Sequence, residues 1–107
     1  MDRPTDSRRE EQSDAERKLL TALCQATLDP HTRAKVVQSL KTHTFVEPDY
    51  EVIYRALAAM PAGESAEIRA TLGPAVTRLG FPDVDLDPLF STPPPTPAEV
   101  AVLLERL

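Results

Sequence analysis

The sequence predicts a small all-α domain, an orthogonal bundle of five to six short helices. Apolar residues recur at helical spacing in several stretches, and no stretch of useful length alternates as a strand would. Prolines stand where helices would begin, at positions 30, 48 and 97, and each follows an Asp, Glu or Thr. The length of 107 residues fits one domain. The hydrophobic fraction of 41% and charged fraction of 27% are those of a globular protein.

The first helix is predicted from a capping box at Ser13 and Glu16. Residues 1–12 lack apolar periodicity, so we expect a flexible N-terminal arm there and a single helical domain over 13–107. The helix should run to about Thr27. Its inward stripe consists of Leu19, Leu20, Leu23 and Cys24.

The second helix should cover roughly 30–41, with Asp29 as its cap and Pro30 as its first residue. Its spacing favours Ala34, Val37 and Leu40 as inward residues, with Val36 at the margin.

The third helix is predicted to organise the core. The stretch Phe45–Leu57 contains both tyrosines and one of the three phenylalanines, and a helix starting at Pro48 would align four large residues on one face. These are Tyr50, Ile53, Tyr54 and Leu57.

A fourth helix, capped by Ser65 or Glu64, should bury Ile68 and Leu72. Gly73–Pro74 predicts a break or kink, because proline cannot donate to the preceding turn. Pro74 could equally be the first residue of a short fifth helix that carries Val76 and Leu79, and Gly80 would form a left-handed cap.

Residues 80–96 are rich in proline and predict an irregular connection, with one helical turn as an option at 86–90. A last helix at 97–107, capped by Thr96, follows. Its apolar stripe must be buried either on its own core or on a partner. The candidate partner-binding residues are Phe81, Val84, Leu86, Leu89, Phe90, Val100, Leu103, Leu104 and Leu107.

The charge balance disfavours a nucleic-acid partner, because the formal net charge is −5 and the basic residues are scattered. The charged N-terminus lacks the apolar region of a secretory signal, and no apolar run approaches a membrane span. A single cysteine, Cys24, suits a reducing compartment. We therefore expect a cytoplasmic protein without membrane association.

No cofactor, metal or catalytic residue is predicted, and we expect no enzymatic activity. His31 and His43 lack further ligands at zinc spacing. The run Asp83–Asp87 opens like a calcium loop, but Pro88 and Pro94 stand where that loop needs glycine and glutamate. No phosphate-binding glycine motif is present.

One resemblance points to a function. Glu16 and the leucines of the first helix, then Leu28-Asp29-Pro30, precede a Phe45-x-x-Pro48-x-Tyr50-x-x-Ile53-Tyr54-x-Ala56-Leu57 signature. This order resembles the N-terminal helical domain of DnaB-type replicative helicases, whose fold is shared by the helicase-binding C-terminal domain of DnaG-type primase. Tyr50 stands where the helicases most often have histidine.

The resemblance implies a non-catalytic protein–protein interaction domain in bacterial DNA replication. Its partner would be a helicase or primase-like protein, or a second copy in a homo-oligomer. The alternative is a helix-turn-helix DNA-binding regulator or an accessory protein of unknown role. That regulator would need basic residues on the solvent face of the third helix, which instead has Glu47, Asp49 and Glu51 beside Arg55.

Overall fold

The computed structural model describes residues 4–60, 65–81 and 83–107, and it contains six helices and no strand in these ranges. The prediction of a small all-α bundle is confirmed. The helices are α1 (Pro4–Cys24), α2 (Pro30–Thr42), α3 (Pro48–Ala58), α4 (Ser65–Arg78), α5 (Asp87–Ser91) and α6 (Pro97–Arg106).

Helix α1 begins at Pro4, nine residues before the predicted start at Ser13. Of the expected arm, residues 1–3 lie outside the described part of the chain, and residues 4–12 are helical. The Arg, Glu and Gln residues of this stretch have high helix propensity, and proline is tolerated in the first turn. Because Ser13 lies inside a helix, it cannot cap one.

Helix α1 is the centre of the bundle and packs against α3, α4, α5 and α6. Every residue from Leu19 to Cys24 is buried, including Thr21 and Ala22, which lie outside the predicted stripe. A helix that neighbours surround on several sides buries more than one face. The core is therefore organised around α1 together with α3, and not around α3 alone.

The inward face of α2 differs from the predicted one. Val36 and Leu40, one turn apart, are buried, whereas Val37 is half-buried and Ala34 is exposed. Two adjacent valines fit two neighbouring helix phases equally well, so only tertiary packing chooses between them. The predicted cap is present, since the Asp29 side chain accepts from the Thr32 amide.

Helix α3 buries Ile53, Tyr54 and Leu57 as predicted, while Tyr50 is half-buried. The Tyr54 hydroxyl donates to the Val37 carbonyl oxygen at 3.0 Å, which ties α3 to α2. The buried phenol therefore has a hydrogen-bond partner, as a tyrosine in a core requires.

Helix α4 passes through Pro74 without ending, so the predicted fifth helix at Val76 does not exist as a separate element. Continuity keeps Ile68, Leu72 and Val76 on one buried face, and their burial outweighs the missing hydrogen bond. Leu79, predicted as part of that fifth helix, lies beyond the end of α4 and is 46% exposed. Gly80 has the predicted left-handed conformation, with φ of 95°.

The proline-rich connection is fixed to the core by α5 and by α1. Leu89 is buried, and the Gln25 side-chain amide donates to the carbonyl oxygens of Leu89 and Thr92, at 3.1 and 2.5 Å. Helix α6 then starts with a complete capping box formed by Thr96 and Glu99. It packs against α1 and α2, so the C-terminal helix buries its stripe on its own core.

Candidate protein interaction surface

The structure separates the nine predicted partner-binding residues by their burial. Leu89, Val100 and Leu103 are core residues, at most 4% exposed, so they offer a partner almost no area. Phe81 is 37% exposed. The remaining five are half-buried and pack against the core; they are Val84, Leu86, Phe90, Leu104 and Leu107.

Phe81 is held in its exposed position by the turn that ends α4. The Gly80 amide donates to the Thr77 carbonyl at 3.0 Å, and the Phe81 amide donates to the Val76 carbonyl at 3.2 Å. This pair of bonds around a left-handed glycine is the Schellman motif, which satisfies the last carbonyls of a helix. The exposed ring therefore follows a defined turn directly after the helix.

A cleft of about 200 Å³ lies beside this ring and is lined by Asp49, Gly80, Phe81, Asp83 and Val84. We call these five residues the Phe81 surface. Both of its carboxylates are on exposed residues, and no Lys or Arg lines the cleft among the described residues. An apolar ring flanked by two negative charges suits a partner with an apolar side chain and positive charges around it.

A second cleft, of about 310 Å³, lies between α1 and α6 and is lined by Lys18, Ala98, Glu99, Val102, Leu103 and Arg106. We call these residues the α6 surface. Val102 is 48% exposed, and Arg106 is exposed one helical turn later. Sequence reasoning missed Val102 because it followed only the buried stripe of α6.

Lys18 at the edge of the α6 surface is paired with Asp14 at 3.1 Å, and Arg17 contacts the same carboxylate. Partial desolvation would raise the pKa of Asp14, but the hydrogen bond and charge of Lys18, with the charge of Arg17, lower it overall. The two cations outnumber the carboxylate, so this edge of α1 keeps a positive charge.

A buried pair of polar side chains, Glu16 and His43, connects α1 to the loop before α3. The Glu16 side chain has no exposed area and His43 has 7%, and His43 Nε2 lies 2.5 Å from Glu16 Oε2. The same oxygen accepts from the Val46 amide at 2.9 Å, whereas Oε1 is buried with no hydrogen-bond partner among the described atoms. The Phe45 ring packs edge-on against His43, at 5.1 Å between centroids.

Sequence reasoning assigned Glu16 to a capping box and considered His43 only as a metal ligand, so it missed this pair. A signal was present, because Glu16 precedes Leu19 and Leu20 by three and four residues and therefore shares their inward face. A buried carboxylate of this kind needs a charged partner.

Neither a reactive thiol nor a cluster of metal ligands is found among the described residues. Burial raises the pKa of the Cys24 thiol to about 12, so it stays protonated and inert. In the ranges that the structure covers, no three His, Cys, Asp or Glu side chains come together as metal ligands would.

Two carboxylates of the acidic run after Phe81 bind groups of this domain. Asp85 accepts a hydrogen bond from the Asp87 amide, and Asp87 pairs with Arg69 at 2.7 Å.

The solvent face of α3 is acidic. Glu47, Asp49 and Glu51 are exposed, and Arg55 is engaged by Glu51 at 3.0 Å. Such a face repels phosphates, which disfavours the helix-turn-helix alternative.

None of the helices in the described part of the chain has the length and apolar character needed to cross a membrane. No protein-family model matches the chain, and neither a curated protein nor a solved structure gives a significant match. The resemblance to the helicase domain therefore depends only on the sequence signature from Glu16 to Leu57.

Proposed function

We propose that this domain is a non-catalytic protein–protein interaction module of the replication machinery. Its partner is a replicative helicase, a primase-like protein or a second copy of the chain. The observation that carries the interaction role is Phe81, exposed in a defined turn beside two carboxylates. Solvent-exposed aromatic rings in fixed positions are typical anchors of protein interfaces.

The replication role is supported by the sequence resemblance. Its signature residues take structural positions in the domain: Ile53, Tyr54 and Leu57 are core residues, and Glu16 holds the loop before α3. A domain of this fold therefore needs side chains of these types at these positions. Since these four residues do not line the Phe81 surface, partner choice depends on other side chains.

The experiment is a binding titration of the purified chain against the replicative helicase and the primase of the same genome. Phe81→Ser should weaken binding by at least about tenfold, since an anchor residue contributes on the order of 2 kcal/mol. Because Phe81 lies outside the core cluster, circular dichroism should show an intact fold. The control is Leu79→Ser, which removes a comparably exposed apolar side chain that lines neither the Phe81 surface nor the α6 surface.

Two results would contradict the proposal. If the wild-type chain binds neither protein and stays monomeric at high concentration, both the interaction role and the replication role are refuted. If it instead binds duplex DNA with an affinity that falls steeply as salt rises, the DNA-binding alternative replaces it.

A further inference from the structure

The Phe81 surface and the α6 surface have opposite charges around exposed apolar side chains. The first is lined by Phe81 together with Asp49 and Asp83. The second is lined by Val102 together with Lys18 and Arg106, and Glu99 is the only carboxylate that lines it among the described residues. Lys18 also pairs with Asp14 of its own helix, and Arg17 shares that carboxylate. Each surface therefore has the features that a partner of the other would need.

We propose that the occupant of the Phe81 surface is the α6 surface of a second copy of this chain, in a head-to-tail contact. This deepens the proposed function and rests on its interaction role. Burial of Phe81 against Val102 removes both apolar side chains from water. Arg106, one turn after Val102, then faces the carboxylate of Asp83 or Asp49.

Charge selects this arrangement over a two-fold dimer. A symmetric contact through the Phe81 surface would bring Asp49 and Asp83 against their own copies, and like charges across an interface oppose association. A symmetric contact through the α6 surface would do the same with Lys18 and Arg106. The heterologous contact sets Asp49 and Asp83 against Lys18 and Arg106, which neither two-fold contact does. Such a contact extends into a ring or an open chain of subunits.

The contact is small, because each surface offers one large exposed apolar side chain. Interfaces of this size are weak and transient, and exposed ion pairs are screened by salt. Association should therefore be visible only at high protein concentration and should weaken as ionic strength rises.

The test uses two charge-reversed variants, Asp83→Arg and Arg106→Glu, in sedimentation velocity over a wide concentration range. Both residues are exposed, so circular dichroism should show folded chains. We expect each variant alone to self-associate at least about tenfold more weakly than the wild type. An equimolar mixture of the two should associate again, since the arginine introduced at position 83 of one chain then faces the glutamate introduced at position 106 of the other. The control, Glu11→Arg, makes the same charge change as Asp83→Arg on an exposed residue of α1, and it should self-associate as the wild type does.

The proposal is overturned if the wild-type chain stays monomeric, if it forms a closed two-fold dimer, or if the mixture fails to restore association. A monomeric chain that still binds helicase or primase through Phe81 would refute this contact and leave the interaction function intact. If the chain self-associates but binds neither replication protein, the contact between copies is supported and the role in replication is refuted.

Discussion

Breaking the buried contact between Glu16 and His43 should destabilise this domain more than any change on its surface. His43→Leu removes one partner of the Glu16 carboxylate and leaves it with no exposed area and one donor, the Val46 amide. One carboxylate oxygen already lacks a partner among the described atoms. Leaving a buried charge uncompensated costs about 3–5 kcal/mol.

That cost is a large fraction of the stability of an ordinary domain, which is about 5–15 kcal/mol. Each kcal/mol corresponds to roughly 4–8 °C in the melting temperature of a chain of this size. We therefore expect His43→Leu to lower Tm by at least about 12 °C in thermal unfolding followed by circular dichroism. Urea unfolding of the same variant gives the free energy directly.

A double-mutant cycle distinguishes the interaction between Glu16 and His43 from the contribution that each side chain makes by packing alone. Glu16→Leu/His43→Leu replaces both polar side chains by apolar ones, a change that often leaves the free energy of unfolding of a protein with a buried pair unchanged. Here the Val46 amide also loses its acceptor, which costs about 1–3 kcal/mol. The double variant should therefore be more stable than His43→Leu alone. Ser13→Ala is the matched control on the same helix, and it should be neutral because Ser13 is not a cap. Additive losses in the cycle, or a His43→Leu variant that melts like wild type, would refute the electrostatic role of the pair.

Three further changes test other parts of the fold. The Cys24 thiol should resist a thiol reagent at pH 8 in the folded domain and react after urea unfolding. Because its folded pKa of about 12 lies above the ordinary 9.0, the free energy of unfolding should fall as pH rises from about 9 toward 12. Cys24→Ala should not show this fall. Thr96→Ala removes the cap of α6 and should lower the free energy of unfolding by about 1 kcal/mol in urea; no loss would mean that the capping box with Glu99 is not formed in solution. Pro74→Ala restores a donor inside α4 and should raise Tm, since proline costs about 3 kcal/mol inside a helix; a lower Tm would show that α4 is interrupted there.

The helices with local start signals could be predicted from sequence. Asp29 with Pro30, and Thr96 with Pro97, placed the first residues of α2 and α6 correctly, because a cap and a proline act within one turn. The inward face of α3 was also predictable, since its large side chains leave one phase available. The beginning of α1 was not, because its first turns carry no apolar periodicity and depend on propensity alone.

Features that depend on tertiary contacts could not be predicted in this way. The continuity of α4 through Pro74 depends on what its buried face gains from the core, which no local pattern reveals. The pair of Glu16 and His43 joins residues 27 positions apart. The same limit applies to the interaction surface: sequence identified Phe81 as a candidate but could not show that Asp49, from another helix, lies beside it.

The buried pair of Glu16 and His43 is connected to the Phe81 surface through the start of α3. Glu16 accepts from the Val46 amide, and Asp49, which lines the cleft, lies only three residues later in the first turn of α3. We therefore expect the position of the Asp49 carboxylate to depend on the buried Glu16 side chain as well as on α3. It follows that His43→Leu should weaken partner binding through misplacement of Asp49, even in conditions where the domain stays folded. Phe81→Ser should weaken binding without a change in Tm, so comparing the two variants distinguishes a residue that positions the surface from one that touches the partner.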